Sequence, residues 1–144
     1  MDKINILIVE DDPEQSSALK DMLEANDYHV STITNNHHDT LTHLQKHSVD
    51  LLIIDIFLNG IPEGIIIAET IDATPGLSKP FVFLTSATDR KIFEKAKLTN
   101  SFSYLLKPYN ELEVLYAIEM AIEKFYDDSR SIDSEEADAI IGDK

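Results

Sequence analysis

The sequence predicts an α/β protein, a doubly wound parallel sheet of five strands and five helices. Three observations predict it. Short aliphatic runs recur, ILIV at 6–9, LLII at 51–54 and FVFL at 81–84. They are apolar at every position, as strands buried on both faces are. Between them lie longer stretches with apolar residues at helical spacing, which fits strands joined by helices. Each run also stops abruptly on polar residues, as strands do where they emerge at one rim of a sheet.

The elements follow in order. Lys3 to Val9 reads as a buried strand. Asp12 can cap a helix whose first residue, Pro13, needs no N–H partner there. That helix runs to about Asn26 with Ala18, Leu19, Met22 and Leu23 as its apolar stripe. His29 to Thr34 alternates and reads as a second strand. A helix from about His38 to His47 turns Leu41 and Leu44 inward, and its histidines, with His37, read as solvated surface. Leu51 to Ile54 is the third strand. The loop IFLNGIPEG, rich in turn formers, leads to a helix near Ile65 to Ala73. Phe81 to Leu84 is the fourth strand, about Asp89 to Leu98 a helix, and Tyr104 to Leu106 a short strand closed by Lys107-Pro108. The last helix, about Glu111 to Tyr126, carries Leu115, Ile118, Ile122 and Phe125 at 3–4 spacing.

This organisation divides the chain into a folded unit, 1–126, and an acidic tail, 127–144. The tail holds seven acids against Arg130 and Lys144. It reads as flexible, or as a short helix capped by Ser134. The whole chain of 144 residues carries a formal charge of −15. Such a surface repels nucleic acid, so direct DNA binding is not expected. There are no cysteines, which excludes disulfides and thiolate metal sites. No apolar run reaches membrane-span length, and the N-terminal residues lack a signal-peptide layout. Together these features favour the cytoplasm.

Ligands of open parallel sheets bind outside the carboxyl ends of the strands. The first strand ends on Glu10, Asp11 and Asp12, the third on Asp55, the fourth on Thr85 and Ser86, the fifth on Lys107. Carboxylates a few ångströms apart repel by roughly 3 kcal/mol at an effective dielectric near 20, and a bound cation relieves that. A hard ion held by oxygens describes Mg²⁺, with Glu10, Asp11 and Asp55 as ligands. A carboxylate beside such an ion can attack phosphorus and form an acyl phosphate. The transferred group then needs counter-charge and donors, which Lys107, Thr85 and nearby backbone N–H groups supply.

The segments VEDDP, LLIIDIFLNG, FLTSATD and YLLKP, in this order and spacing, resemble the receiver domain of two-component response regulators over about residues 3–126. Any one motif is weak; the ordered set is specific. The resemblance implies a flavodoxin-like (βα)5 fold with strand order 2-1-3-4-5. It implies that Asp55 is the phosphoacceptor and that Glu10 and Asp11 form the acid pair for Mg²⁺ (or Mn²⁺), with the backbone carbonyl of Phe57 as a further ligand. Thr85, Ser86 and Lys107 would bind the phosphoryl group, and Thr85 with Tyr104 would form the switch. The expected donor is a histidine kinase or histidine phosphotransfer protein, and the expected output a downstream protein effector. The fourth helix, fifth strand and fifth helix would supply the signalling face, which also offers a surface for homodimers. Such a domain is a phosphoacceptor rather than an enzyme, supporting only its own phosphorylation and slow self-dephosphorylation. The resemblance also implies that Phe57 and Ala87 occupy the two positions that tune hydrolysis, and neither side chain can orient water.

The sequence departs from the family where Asn59 replaces a common proline, where the loop before Gly64 is one residue longer, and where Asn100-Ser101 replaces Gly-Ala. Two other readings stand beside the main one. The chain could be a constitutive protein-interaction module that keeps the fold without cycling phosphate. A phosphatase on a related fold would want a second acid where this chain has Phe57.

Overall fold

The computed structural model describes residues 3–86 and 89–141, with side chains through Tyr126. Five strands alternate with five helices: β1 (Asn5–Val9), α1 (Pro13–Ala25), β2 (His29–Thr34), α2 (His37–Lys46), β3 (Leu51–Asp55), α3 (Glu63–Ala73), β4 (Phe81–Thr85), α4 (Arg90–Lys97), β5 (Ser103–Leu106) and α5 (Glu111–Ile141). All pairings are parallel and the order is β2-β1-β3-β4-β5. This is the doubly wound, flavodoxin-like sheet that the sequence implied.

The period of two along each strand sorts the core into two layers. Leu7, Val9, Leu52, Ile54, Phe81 and Phe83 pack toward α2, α3 and α4. Ile6, Ile8, Leu51, Ile53, Val82 and Leu84 pack toward α1 and α5. Every one of these residues is buried, which is why the strands read as unbroken apolar runs.

Helix starts follow local chemistry. The Asp12 carboxylate accepts from the N–H groups of Glu14 (2.9 Å) and Gln15 (3.2 Å), capping α1 with Pro13 at its first position. Within α1, Leu19 and Leu23 are buried while Ala18 is exposed, so the stripe is narrower than expected. The α2 histidines are not all solvated. His37 is half-buried with Nε2 3.0 Å from Thr70 Oγ1, and His43 Nε2 lies 2.6 Å from Ser31 Oγ. Ser31 is the extra residue where the β1–β2 register shifts, a bulge that turns its hydroxyl toward α2.

The loop after β3 resolves the insertion seen in sequence. Leu58 and Ile61 exchange backbone hydrogen bonds of 2.9 and 3.2 Å across Asn59 (φ 55°) and Gly60 (φ 82°). Positive φ at both central residues marks a type I′ turn, the geometry Asn-Gly favours. Gly64 then brings α3 onto the end of β3. A Cβ there would sit 2.3 Å from the Asp55 carbonyl oxygen, so no side chain fits without moving the backbone. At the other end of the chain, α5 passes the expected stop near Tyr126 and continues as helix to Ile141.

Candidate functional site

Four strand ends meet at one rim. Glu10 follows β1, Asp55 ends β3, Ser86 follows β4 and Lys107 follows β5, and all four line one open cleft with Asp11, Asp12, Gln15, Phe57 and Tyr109. The strand register carries them there: β1 and β3 align Val9 with Ile54, one residue short of both Glu10 and Asp55. Glu10 and Asp55 continue the alternate positions that face α1 and α5. They are 7% and 8% exposed, unusual for carboxylates and therefore in need of partners.

Carboxylate oxygens of Glu10, Asp11 and Asp55 all lie within 4.8 Å of one another. Lys107 Nζ donates to Glu10 Oε1 and Asp55 Oδ2, each at 2.7 Å, and to Gln15 Oε1 at 2.5 Å. The contacts with Glu10 and Asp55 are the two shortest ion pairs among the described residues, and the side chains in them are at most 15% exposed. Backbone N–H groups engage three further oxygens. Asp55 Oδ1 accepts from the Phe57 N–H (3.2 Å), Glu10 Oε2 from the Asp12 N–H (3.1 Å), and Asp11 Oδ2 from the Asn59 N–H (2.9 Å).

Protonation follows from this burial. Desolvation pushes the Glu10 carboxyl above the usual glutamate range, and the Asp55 charge adds to it; the Lys107 hydrogen bond opposes without cancelling. Burial alone would lower Lys107, but its hydrogen bonds to Asp55 and Glu10 outweigh that and hold the ammonium above its ordinary 10.5. The rim is thus a knot in which one ammonium stands 2.7 Å from each of two buried carboxyl groups.

The donor set fits a hard divalent cation. Three carboxylates converge, with no sulfur or imidazole among them, and one lysine cannot neutralise all three.

A profile of response regulator receiver domains matches residues 6–119. The chain belongs to the response regulator receiver domain family. Receiver domains take part in phosphorylation-dependent signalling with histidine kinases or phosphotransfer proteins, and bind Mg²⁺ at an acidic pocket. The transcriptional regulatory protein PdtaR of Mycobacterium tuberculosis is 28% identical over 83% of this chain and 57% of its own length. The heme response regulator HssR of Staphylococcus epidermidis is 27% identical over 85% of the chain and 53% of its own. The receiver thus spans somewhat more than half the length of these relatives. Among solved structures, the signal receiver domain of a modulated diguanylate cyclase from Desulfovibrio desulfuricans superposes with TM-score 0.78 at 33% identity, covering 85% of this chain and 96% of that one. A CheY-like receiver from Methanospirillum hungatei shares the fold, with TM-score 0.77 at 22% identity over 88% and 99% of the two chains.

Other residues singled out from sequence take varied places. Ser86 is exposed at the cleft. Thr85 is fully buried at the end of β4, where its carbonyl accepts from the Lys107 N–H at 2.9 Å. Tyr104 is half-buried, its ring edge-on to Phe93 (5.1 Å) and Phe83 (6.4 Å). Thr85 continues the alternate positions of Phe81 and Phe83, so it shares the α4-facing side with Tyr104. Ala87 lies outside the described residues. Among the described residues, no helix is long and apolar enough to cross a membrane.

Sequence reasoning missed two contacts. One is the Asn59 N–H on Asp11, which exists because the Asn-Gly turn points that N–H at the rim. The other is Gln15. Its spacing from Asp12 is that of a capping box, in which the glutamine would reach back to the cap's N–H. Here Gln15 Nε2 donates to Asp12 Oδ2 at 3.1 Å and its oxygen turns to Lys107 instead.

Proposed function

We propose that this receiver is a phosphorylation-controlled switch in which Asp55 accepts a phosphoryl group from a histidine kinase or histidine phosphotransfer protein. The observation that carries the reading is the knot of Glu10, Asp11, Asp55 and Lys107: three convergent carboxylates with an ammonium 2.7 Å from two of them. Glu10, Asp11 and Asp55, with the Phe57 carbonyl, would hold Mg²⁺, which when bound screens the anionic phosphoryl group from the carboxylates around it. An Asp55 oxygen attacks phosphorus, the P–N bond to the donor histidine breaks, and the imidazole nitrogen keeps the electron pair. Lys107 moves its hydrogen bonds from carboxylate to phosphoryl oxygens. Ser86 and the Thr85 hydroxyl supply further donors. The domain acts as acceptor rather than enzyme.

The response is a shift between two arrangements of the domain. Movement of Thr85 toward the phosphoryl group changes the space beside Tyr104 and so the face of α4, β5 and α5. The downstream protein effector, or a second copy of the domain, reads that face. Cytoplasmic location suits such a donor. The receiver unit is 1–126, and the acidic segment 127–144 follows it, its first part carried by α5. Incubation with acetyl phosphate and Mg²⁺ tests the assignment. Wild type is expected to gain one phosphoryl group by intact mass and Asp55→Ala none; labelling of Asp55→Ala at the wild-type rate would refute it.

A further inference from the structure

Three hydrogens on the Lys107 ammonium meet three acceptors: Glu10 Oε1 and Asp55 Oδ2 at 2.7 Å and Gln15 Oε1 at 2.5 Å. The set is complete, because a lysine has three donors and no acceptor. The three partners are not equivalent. Glu10 and Asp55 also belong to the convergent carboxylate group, whereas Gln15 is neutral and stands outside it. Gln15 is also oriented from its far end. Lys107 only donates, so the amide atom facing it must be the oxygen. The ionised Asp12 carboxylate only accepts, so the atom facing it, 3.1 Å away, must be the NH₂ group. Asp12 is in turn fixed by capping α1. A chain of donors and acceptors thus runs from the start of α1 through Asp12 and Gln15 to the lysine after β5.

We infer that Gln15 is a positioning residue for phosphoryl transfer, holding the Lys107 ammonium over the cleft when Glu10 and Asp55 turn to a divalent cation. This rests on the proposed role of Asp55. Once the two carboxylates are shared with an ion, their hold on the lysine weakens. The neutral amide does not compete for the ion and keeps its contact. Lys107 therefore stays within reach of the incoming phosphoryl oxygens instead of swinging into solvent on its flexible stem. Gln15 is itself exposed, so water replaces part of the contact when it is lost, and the expected effect is several-fold rather than total.

The test compares wild type, Gln15→Leu, Lys107→Met and the double variant in acetyl phosphate labelling at saturating Mg²⁺. Gln15→Leu is expected to lower the maximal rate about five-fold, leaving the acetyl phosphate concentration at half-maximal rate and the calorimetric Mg²⁺ affinity within about two-fold of wild type. In the Lys107→Met background the same change is expected to do nothing further, because the residue acts through the lysine. An unchanged rate in Gln15→Leu, or an equal loss in both backgrounds, overturns the inference. A second readout does not depend on labelling: the Lys107 ammonium resonance of the Mg²⁺-loaded protein is expected to exchange slowly with water in wild type and rapidly in Gln15→Leu. Equal exchange in the two proteins also overturns it. If wild type takes no phosphate, or takes it without Asp55, the phosphoacceptor reading fails, while the ammonium resonance still decides whether Gln15 positions Lys107.

Discussion

The middle of the sheet and its carboxyl rim are built on the same strands yet obey different rules. Ile8, Ile54 and Phe83 are fully buried, and they hold the fold by burial alone, a force without direction. One or two residues later, Glu10 and Asp55 are almost as buried but charged, and their state depends on where a single ammonium stands. The middle tolerates exchange of one apolar residue for another of similar size. The rim does not, because each carboxylate oxygen of Glu10 and Asp55 has an assigned donor. The comparison teaches that the apolar middle of this sheet serves to aim the charged groups at its rim.

That contrast can be broken at either side. The largest effect on stability is expected from Phe83→Ala, which empties a site between Phe81 and Tyr104. It should cost about 4 kcal/mol in urea unfolding, equally with and without Mg²⁺. Lys107→Met should cost about 3 kcal/mol without divalent ions, since it leaves two buried carboxylates facing each other, and Mg²⁺ should restore much of the loss. An Mg²⁺-independent loss would mean that the carboxylates do not share an ion.

The same variant has a pH signature. Lys107 titrates above its ordinary 10.5 when folded, so its stabilisation is complete below that value and lost as pH rises through the raised one. Melting curves of wild type and Lys107→Met should therefore converge at strongly alkaline pH. A smaller change of opposite sign is expected from Asp55→Asn. Relief of the repulsion with Glu10 should raise stability by about 1 kcal/mol without divalent ions; a loss of that size would show that Asp55 is held favourably in the resting state. Smallest of all for the fold is Phe57→Asn, whose effect is kinetic. It places a polar group beside Asp55 and should shorten the half-life of the phosphorylated protein several-fold, measured by loss of label after donor removal; an unchanged half-life would remove Phe57 from that role.

Legibility in the sequence tracks the range of the interaction. The strands were readable because burial on both faces leaves no polar position, and Asp12-Pro13 marked a helix start through contacts two and three residues away. Boundaries drifted by a residue or two where strands run into the polar rim, as at Asp55 and Thr85. The histidines of α2 misled, since a polar helix face looks solvated until a bulge in β2 sets Ser31 against His43. Gln15 was hidden for the same reason: its partner is 92 residues away, and local spacing offered a plausible cap contact instead.

By itself the sequence determined which residues must be inside, the alternation that makes the sheet parallel, and the chemical inventory at the strand ends, because periodicity and residue type are local properties. Only the tertiary structure decided that Lys107 stands between Glu10 and Asp55, that Asn59 offers its N–H to Asp11, and that Gln15 completes the shell of the lysine. Hydrogen bonds and ion pairs act over about 3 Å, and no spacing along the chain says which distant groups the register of a sheet will bring that close.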